Sequence, residues 1–168
     1  YDYHKTRNSS HPREFLKDYS GICVTDGYQV YHKVEKERED LRIAGCWVHA
    51  RRKFDEAMNV VPKEQRKKSN AYLVMKQIQA IYREEGKLQE LPPDERLMQR
   101  QLVIKPLVDA LFVYLKKMEP TVPSSGQLRK AYTYILNQEK YLRVFLEDGE
   151  VPIDNNASER AIRGFCIG

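Results

Sequence analysis

The sequence predicts an α/β fold interrupted by a large all-helical insertion. Three observations predict it: short β-branched runs closed by turn residues before Pro62, apolar stripes at helical spacing after it, and a last segment from Val151 that leaves the stripe pattern. The expected organisation is an α/β part over 1–61, a helical insertion over 62–150, and a helix over 151–168 that returns to the α/β part. At 168 residues the whole is the size of one ordinary domain.

The elements follow in order. Tyr1 to Arg7 reads as the end of a strand, and Asn8-Ser-Ser-His-Pro12 as a turn into a short helix through Glu14-Phe-Leu-Lys17. Gly21-Ile-Cys-Val-Thr25 is an apolar, β-branched run closed by Asp26-Gly27, which predicts a buried strand ending in a tight turn. Leu41-Arg-Ile-Ala-Gly-Cys46 predicts a second short strand, followed by a helix from about His49 to Val60. Ala71, Val74, Met75, Ile78, Ile81 and Tyr82 then mark one buried helix face, ended by Gly86. A second stripe runs from Leu107 through Leu111 to Met118, opened by Pro106, and a third from Leu128 through Tyr132 and Ile135 to Leu142. Pro92-Pro93 and the stretch from Pro120 to Gly126 read as connectors. Val151 to Arg163 reads as a turn and then a helix starting near Asn155 or Asn156.

Composition narrows the function. Charged residues make up 32% and no long apolar run occurs, which argues against a membrane span. No basic start followed by an apolar segment opens the chain, and three widely spaced cysteines (Cys23, Cys46, Cys166) suit reduced thiols, so a cytoplasmic protein is expected. The net charge of +5 permits an acidic partner such as nucleic acid, and its excess falls in residues 1–70, with 15 Lys and Arg against 11 Asp and Glu. The densest clusters are His49-Ala-Arg-Arg-Lys53 and Lys63-Glu-Gln-Arg-Lys-Lys68. A solvated helix face is the alternative reading of such clusters.

Acids at the ends of separate elements are what two-metal phosphoryl chemistry requires, because Mg²⁺ or Mn²⁺ takes carboxylate oxygens. Asp26, just past a strand, is one candidate, and an Asp-Gly turn residue is its alternative. Glu159 is the second. With Asn156 as N-cap it would also complete a capping box, and it stands at ion-pair spacing from Arg163. Cys46-Trp-Val-His49 holds two soft-metal ligands, but zinc needs about four and no second cluster lies nearby in sequence. Neither a glycine-rich phosphate loop nor a Gly-x-Ser-x-Gly elbow occurs.

Together, Gly21 to Tyr31, Gly45 to Phe54 and Ile153 to Arg163 resemble, in order and spacing, the markers of the insertion sequence 66 family of DDE transposases, and Tyr134-Ile-Leu-Asn-Gln138 also fits. The resemblance implies a ribonuclease-H-like catalytic domain with a helical insertion before the last catalytic element. It implies that Asp26 and Glu159 are catalytic, metal-binding acids for two Mg²⁺ or Mn²⁺ ions. Arg51, Arg52, Lys53, Arg160 and Arg163 are then candidates for contacts to DNA phosphates. In the family a first aspartate precedes these two on a strand for which the residues before Asp26 leave no room. The expectation is therefore an incomplete fold, first strands missing, that does not cleave DNA by itself. The expected function is hydrolysis of phosphodiesters at the ends of an insertion sequence and joining of those ends to target DNA, with a homo-oligomer on DNA and no membrane partner. A non-catalytic DNA-binding or assembly module and a nuclease of the same fold are the rivals.

Overall fold

The computed structural model describes residues 13, 16–17, 20–27, 29–154 and 166–167. The strand expected over 1–7, the turn through Pro12, most of the short helix after it and the helix expected from Asn155 or Asn156 lie outside these residues. The described chain is mixed α/β and mostly helical, with a small parallel sheet.

Strand β1 (Gly21–Thr25) and strand β2 (Leu41–Gly45) pair in parallel, with Gly21 opposite Leu41 and Thr25 opposite Gly45. Parallel neighbours need a crossover, and helix α1 (Gln29–Glu37) supplies it. Helix α1 has no counterpart among the elements expected from sequence, because its composition is mostly polar and its buried residues, His32 and Val34, do not follow the i, i+3, i+4 spacing of an apolar stripe. A third strand, β3 (Cys166–Ile167), pairs in parallel with β1 on its other edge, giving the order β2-β1-β3.

Alternate residues of the strands enter two clusters, as expected for a parallel sheet covered on both faces. Cys23, Leu41 and Ile43 join Leu16 and Val34 in a small cluster that includes one side of α1. Val24 and Ala44 face the main core, built with helix α2 (Trp47–Asn59) and the helices that follow. β2 ends one residue before the expected Cys46, and α2 starts at Trp47, ahead of the expected His49. Cys46 keeps an extended backbone (φ −96°, ψ 117°) as the cap between them. Arg51, Arg52 and Lys53 accordingly lie in the second turn of α2.

Helix α3 (Asn70–Gly86) buries the expected stripe and stops at the expected glycine. Its N-cap Ser69 accepts a hydrogen bond from the Tyr72 N–H at 3.2 Å. The Pro92-Pro93 connector is shorter than expected: Pro93 opens helix α4 (Pro93–Gln99), with Asp94 and Glu95 in its first turn. Proline at a first helical position loses no hydrogen bond, so it starts a helix as readily as it breaks one. α4 widens into a π-helical turn at Arg100–Ile104 before helix α5 (Lys105–Met118). Pro106 explains the widening, because a proline cannot donate to, and clashes with, the preceding turn. The third stripe is split: helix α6 (Gln127–Asn137) ends at Gln138, and Leu142 belongs to helix α7 (Glu139–Leu142).

Two buried side chains tie the helices to one another and to the segment after α7. Trp47, fully buried, donates its indole N–H to the Leu142 carbonyl at 2.9 Å and meets Phe112 and Phe145 edge to face. Arg100, 1% exposed, pairs with Glu85 and donates to the carbonyls of Phe145, Asp148 and Val151 at 2.8–2.9 Å. The segment after α7 thereby returns over the helices to the β2–α2 junction. There the Trp47 N–H donates to the Ile153 carbonyl at 3.2 Å.

Candidate active site

Asp26 leaves the carboxyl end of β1 and is exposed, at the edge where parallel sheets bind ligands. Its turn is gripped from a helix far along the chain. Tyr134 of α6 donates its hydroxyl to the Asp26 carbonyl at 2.7 Å, across 108 positions of sequence. Gly27 has φ +86°, and a Cβ there would stand 2.9 Å from Tyr134 Oη and 3.0 Å from Gln138 Oε1. Both the left-handed backbone and the close approach of α6 therefore require glycine.

The first turns of α2 stand beside this edge, because the Cys46 N–H donates to the Thr25 carbonyl at 3.0 Å. His49 is half-buried and senses Asp26. Burial holds its pKa below the usual histidine value, the Asp26 carboxylate opposes that shift, and Arg52 and Lys53 add to it. Lys53 Nζ lies 5.4 Å from the Tyr134 ring centre, and the Arg51 guanidinium lies 5.6 Å from that of Tyr82. Arg52 is exposed.

Tyr82 leads to a further acid. Its hydroxyl donates to Asp154 Oδ2 at 2.9 Å, and Asp154 is only 5% exposed. Burial, then the Asp154 carboxylate and Cys46, push the Tyr82 phenol far above its usual range. Burial, Asp26 and Cys46 do the same to Tyr134. Both phenols thus remain protonated donors at physiological pH. Asp154 shortly precedes Glu159, which with Arg160 and Arg163 lies outside the described residues. The described part of the edge therefore brings together Asp26, His49, Arg52 and Lys53 on the β1 side, and Arg51, Tyr82 and Asp154 where the chain returns.

Read from sequence, Tyr82 belongs only to a buried stripe, and neither Tyr134 nor Asp154 has a part in the site. A tyrosine closing an otherwise aliphatic stripe is the available signal for Tyr82, since a buried hydroxyl requires a polar partner. The tie between Tyr134 and Asp26 has no local signal. As a ligand set, Asp26 offers an exposed carboxylate of the kind a hard divalent cation takes, and Asp154 offers one already engaged by Tyr82. Among the described residues no three of His, Cys, Asp and Glu are grouped to hold a metal ion, and Cys46 is buried.

The family model described as Transposase IS66 family matches residues 1–168. Curated relatives include three proteins of Sinorhizobium fredii (strain NBRC 101917 / NGR234), each described as uncharacterized. The chain is 29% identical to y4hP over 96% of its own length and 31% of the relative's. It is 25% identical to y4jD over 99% of itself and 33% of that protein. It is 30% identical to y4qI over 88% of itself and 28% of that protein. The chain thus spans about a third of the length of the curated relatives it matches. No solved structure matches it.

Proposed function

The chain belongs to the Transposase IS66 family, and from that membership we propose that it forms part of the catalytic core of a DNA-cleaving and strand-joining enzyme. In this reading residues 1–61 and 151–168 belong to a ribonuclease-H-like α/β domain, and 62–150 are a helical insertion that buttresses it. Asp26 and Glu159 are the catalytic acids and metal ligands. The remaining acid of the set comes from a part of the full protein outside these 168 residues, so the chain alone is inactive.

The observation that carries the reading is the return of the chain to the sheet edge that bears Asp26. The Ile153 carbonyl is held by the first turn of α2, and Asp154 by Tyr82. Glu159 follows Asp154 by five positions in sequence, and in this reading it joins the same edge. Two Mg²⁺ or Mn²⁺ ions, when bound, stabilise the attacking and leaving oxygens of an in-line phosphoryl displacement. The chain's own residues do the rest. Asp26 and Glu159 present carboxylate oxygens, Tyr134 fixes the turn that aims Asp26, and Tyr82 with Asp154 fixes the approach to Glu159. Arg51, Arg52, Lys53, Arg160 and Arg163 hold the phosphate backbone of the element's end or of target DNA, without reading its sequence. Water, or a DNA 3′ hydroxyl, then attacks the positioned phosphodiester. The enzyme acts as a homo-oligomer on DNA.

The test uses the full-length protein and duplexes carrying the element's ends. Asp26→Asn and Glu159→Gln should each lower Mg²⁺-dependent cleavage by more than about 100-fold, beyond what loss of a residue supporting a ligand typically costs. DNA affinity and thermal melting should stay near those of the unaltered protein. Cleavage by either variant at an undiminished rate would remove that residue from the site.

A further inference from the structure

The Lys63–Lys68 cluster remains outside the site just described. Residues 51–76 hold eight Lys and Arg against three Asp and Glu, a surplus of five that equals the surplus of the entire chain, 29 against 24. Outside this stretch the charges balance. Most arginines elsewhere are engaged: Arg38, Arg42, Arg100, Arg129 and Arg143 all contact carboxylates. Among the described residues, by contrast, no cation from Arg51 to Lys76 lies within ion-pair distance of an acid.

The fold places these cations along one helical hairpin. α2 and α3 run antiparallel, since Arg51 near the start of one lies over Tyr82 near the end of the other. The turn joining them is therefore at the end of α2 remote from Asp26, about 20 Å away for a 13-residue helix. Arg66 braces the turn, donating to the carbonyls of Val61 at 2.9 Å and Asn59 at 3.2 Å. The Ser69 hydroxyl donates to the Arg66 carbonyl at 2.6 Å. Lys63, Lys67 and Lys68 project from this braced turn, exposed, with Glu64 the one acid among them. A rigid, unneutralised group of cations raises the local potential and stores no compensating contact within the chain.

We propose that the hairpin tip of Lys63, Lys67 and Lys68 is a second docking surface for the phosphate backbone of duplex DNA, separate from the sheet edge and roughly six base pairs from it at about 3.4 Å per pair. The inference rests on the reading of the edge as a DNA-cleaving site, because the same run of cations begins there with Arg51, Arg52 and Lys53. A duplex laid along the hairpin meets cations at both ends, and the tip adds length to the bound stretch without adding sequence preference.

The experiment compares full-length protein with the triple variant Lys63→Gln, Lys67→Gln, Lys68→Gln on a 40-base-pair duplex of unrelated sequence, following anisotropy as a function of salt. The slope of log affinity against log salt should become shallower by about two to three units, near 0.9 for each phosphate that is no longer neutralised. Thermal melting should not change. A control variant, Lys33→Gln, Lys36→Gln, Lys117→Gln, removes the same charge from exposed sites elsewhere and should keep the original slope. An unaltered slope in the tip variant, or an equal reduction in the control, overturns the proposal. Tip-dependent binding to vesicles one-third phosphatidylserine, with the DNA slope unchanged, overturns it in favour of an anionic membrane surface. Asp26→Asn separates the two readings. If that variant cleaves normally while the tip variant has the shallower salt slope, the catalytic reading fails and the tip remains a DNA surface.

Discussion

At the scale of single residues, Asp26 and Asp154 are each held by a tyrosine hydroxyl. Asp26 follows its strand by sequence alone, but its turn is held by the hydroxyl of Tyr134, and the buried Asp154 carboxylate is satisfied by that of Tyr82. A hydrogen bond of this kind contributes about 1 kcal/mol net, and more when its loss strands a buried charge. Tyr134→Phe should therefore cost about 1 kcal/mol in denaturant unfolding, leave DNA affinity unaltered and slow cleavage by the full-length protein, since only the aim of Asp26 is loosened. Cleavage at the original rate would show that the clasp does not position the acid. Gly27 belongs to the same device, being the residue that lets Tyr134 and Gln138 approach the turn.

At the scale of elements, the returning segment is shaped by one buried ion pair. Arg100 projects from a π-helical turn, meets Glu85 of α3, and spreads its remaining donors over the carbonyls of Phe145, Asp148 and Val151. Close packing continues alongside, where a Cβ on Gly149 would fall 1.9 Å from the Pro93 carbonyl oxygen. Removing one partner of such a pair leaves an uncompensated buried charge, at a cost of about 3–5 kcal/mol. Arg100→Met should lose that much in urea unfolding, and Arg100→Met with Glu85→Met should recover part of it. A single variant as stable as the original would mean that the three carbonyls and Glu85 find water instead. The sequence marks Arg100 only as one charge between stripes.

For the whole molecule, two histidines whose pKa values burial lowers make stability depend on pH near neutrality. His32 is 9% exposed and stacks on Tyr141 with ring centres 3.7 Å apart. Burial holds its pKa below the usual value, Glu35 and Gln138 oppose that, and Lys140 and Lys36 add to it. His49 is depressed by burial likewise. A lowered pKa means that the unfolded chain binds protons first, so stability is full above about pH 6.5 and falls as pH drops toward the folded pKa. The denaturation midpoint should be lower at pH 5 than at pH 7.5, and His32→Phe should reduce the difference; an unchanged difference would shift the effect to His49. The family was legible in the sequence because its marker stretches are contiguous. So were β1 and β2, the stop of α3 at Gly86 and the core stripes, since local propensity and hydrophobic period act over a few residues. Helix α1, the helix start at Pro93 and the split of the third stripe were not, because a mostly polar helix without an apolar stripe, a proline and a polar Gln138 each read equally well as a connector. The sequence by itself determined which residue types stand at the strand and helix ends. Only the tertiary structure decided that Tyr134 would clasp Asp26 and Tyr82 would hold Asp154, because a contact across 108 or 72 positions depends on how helices pack, which no local pattern encodes.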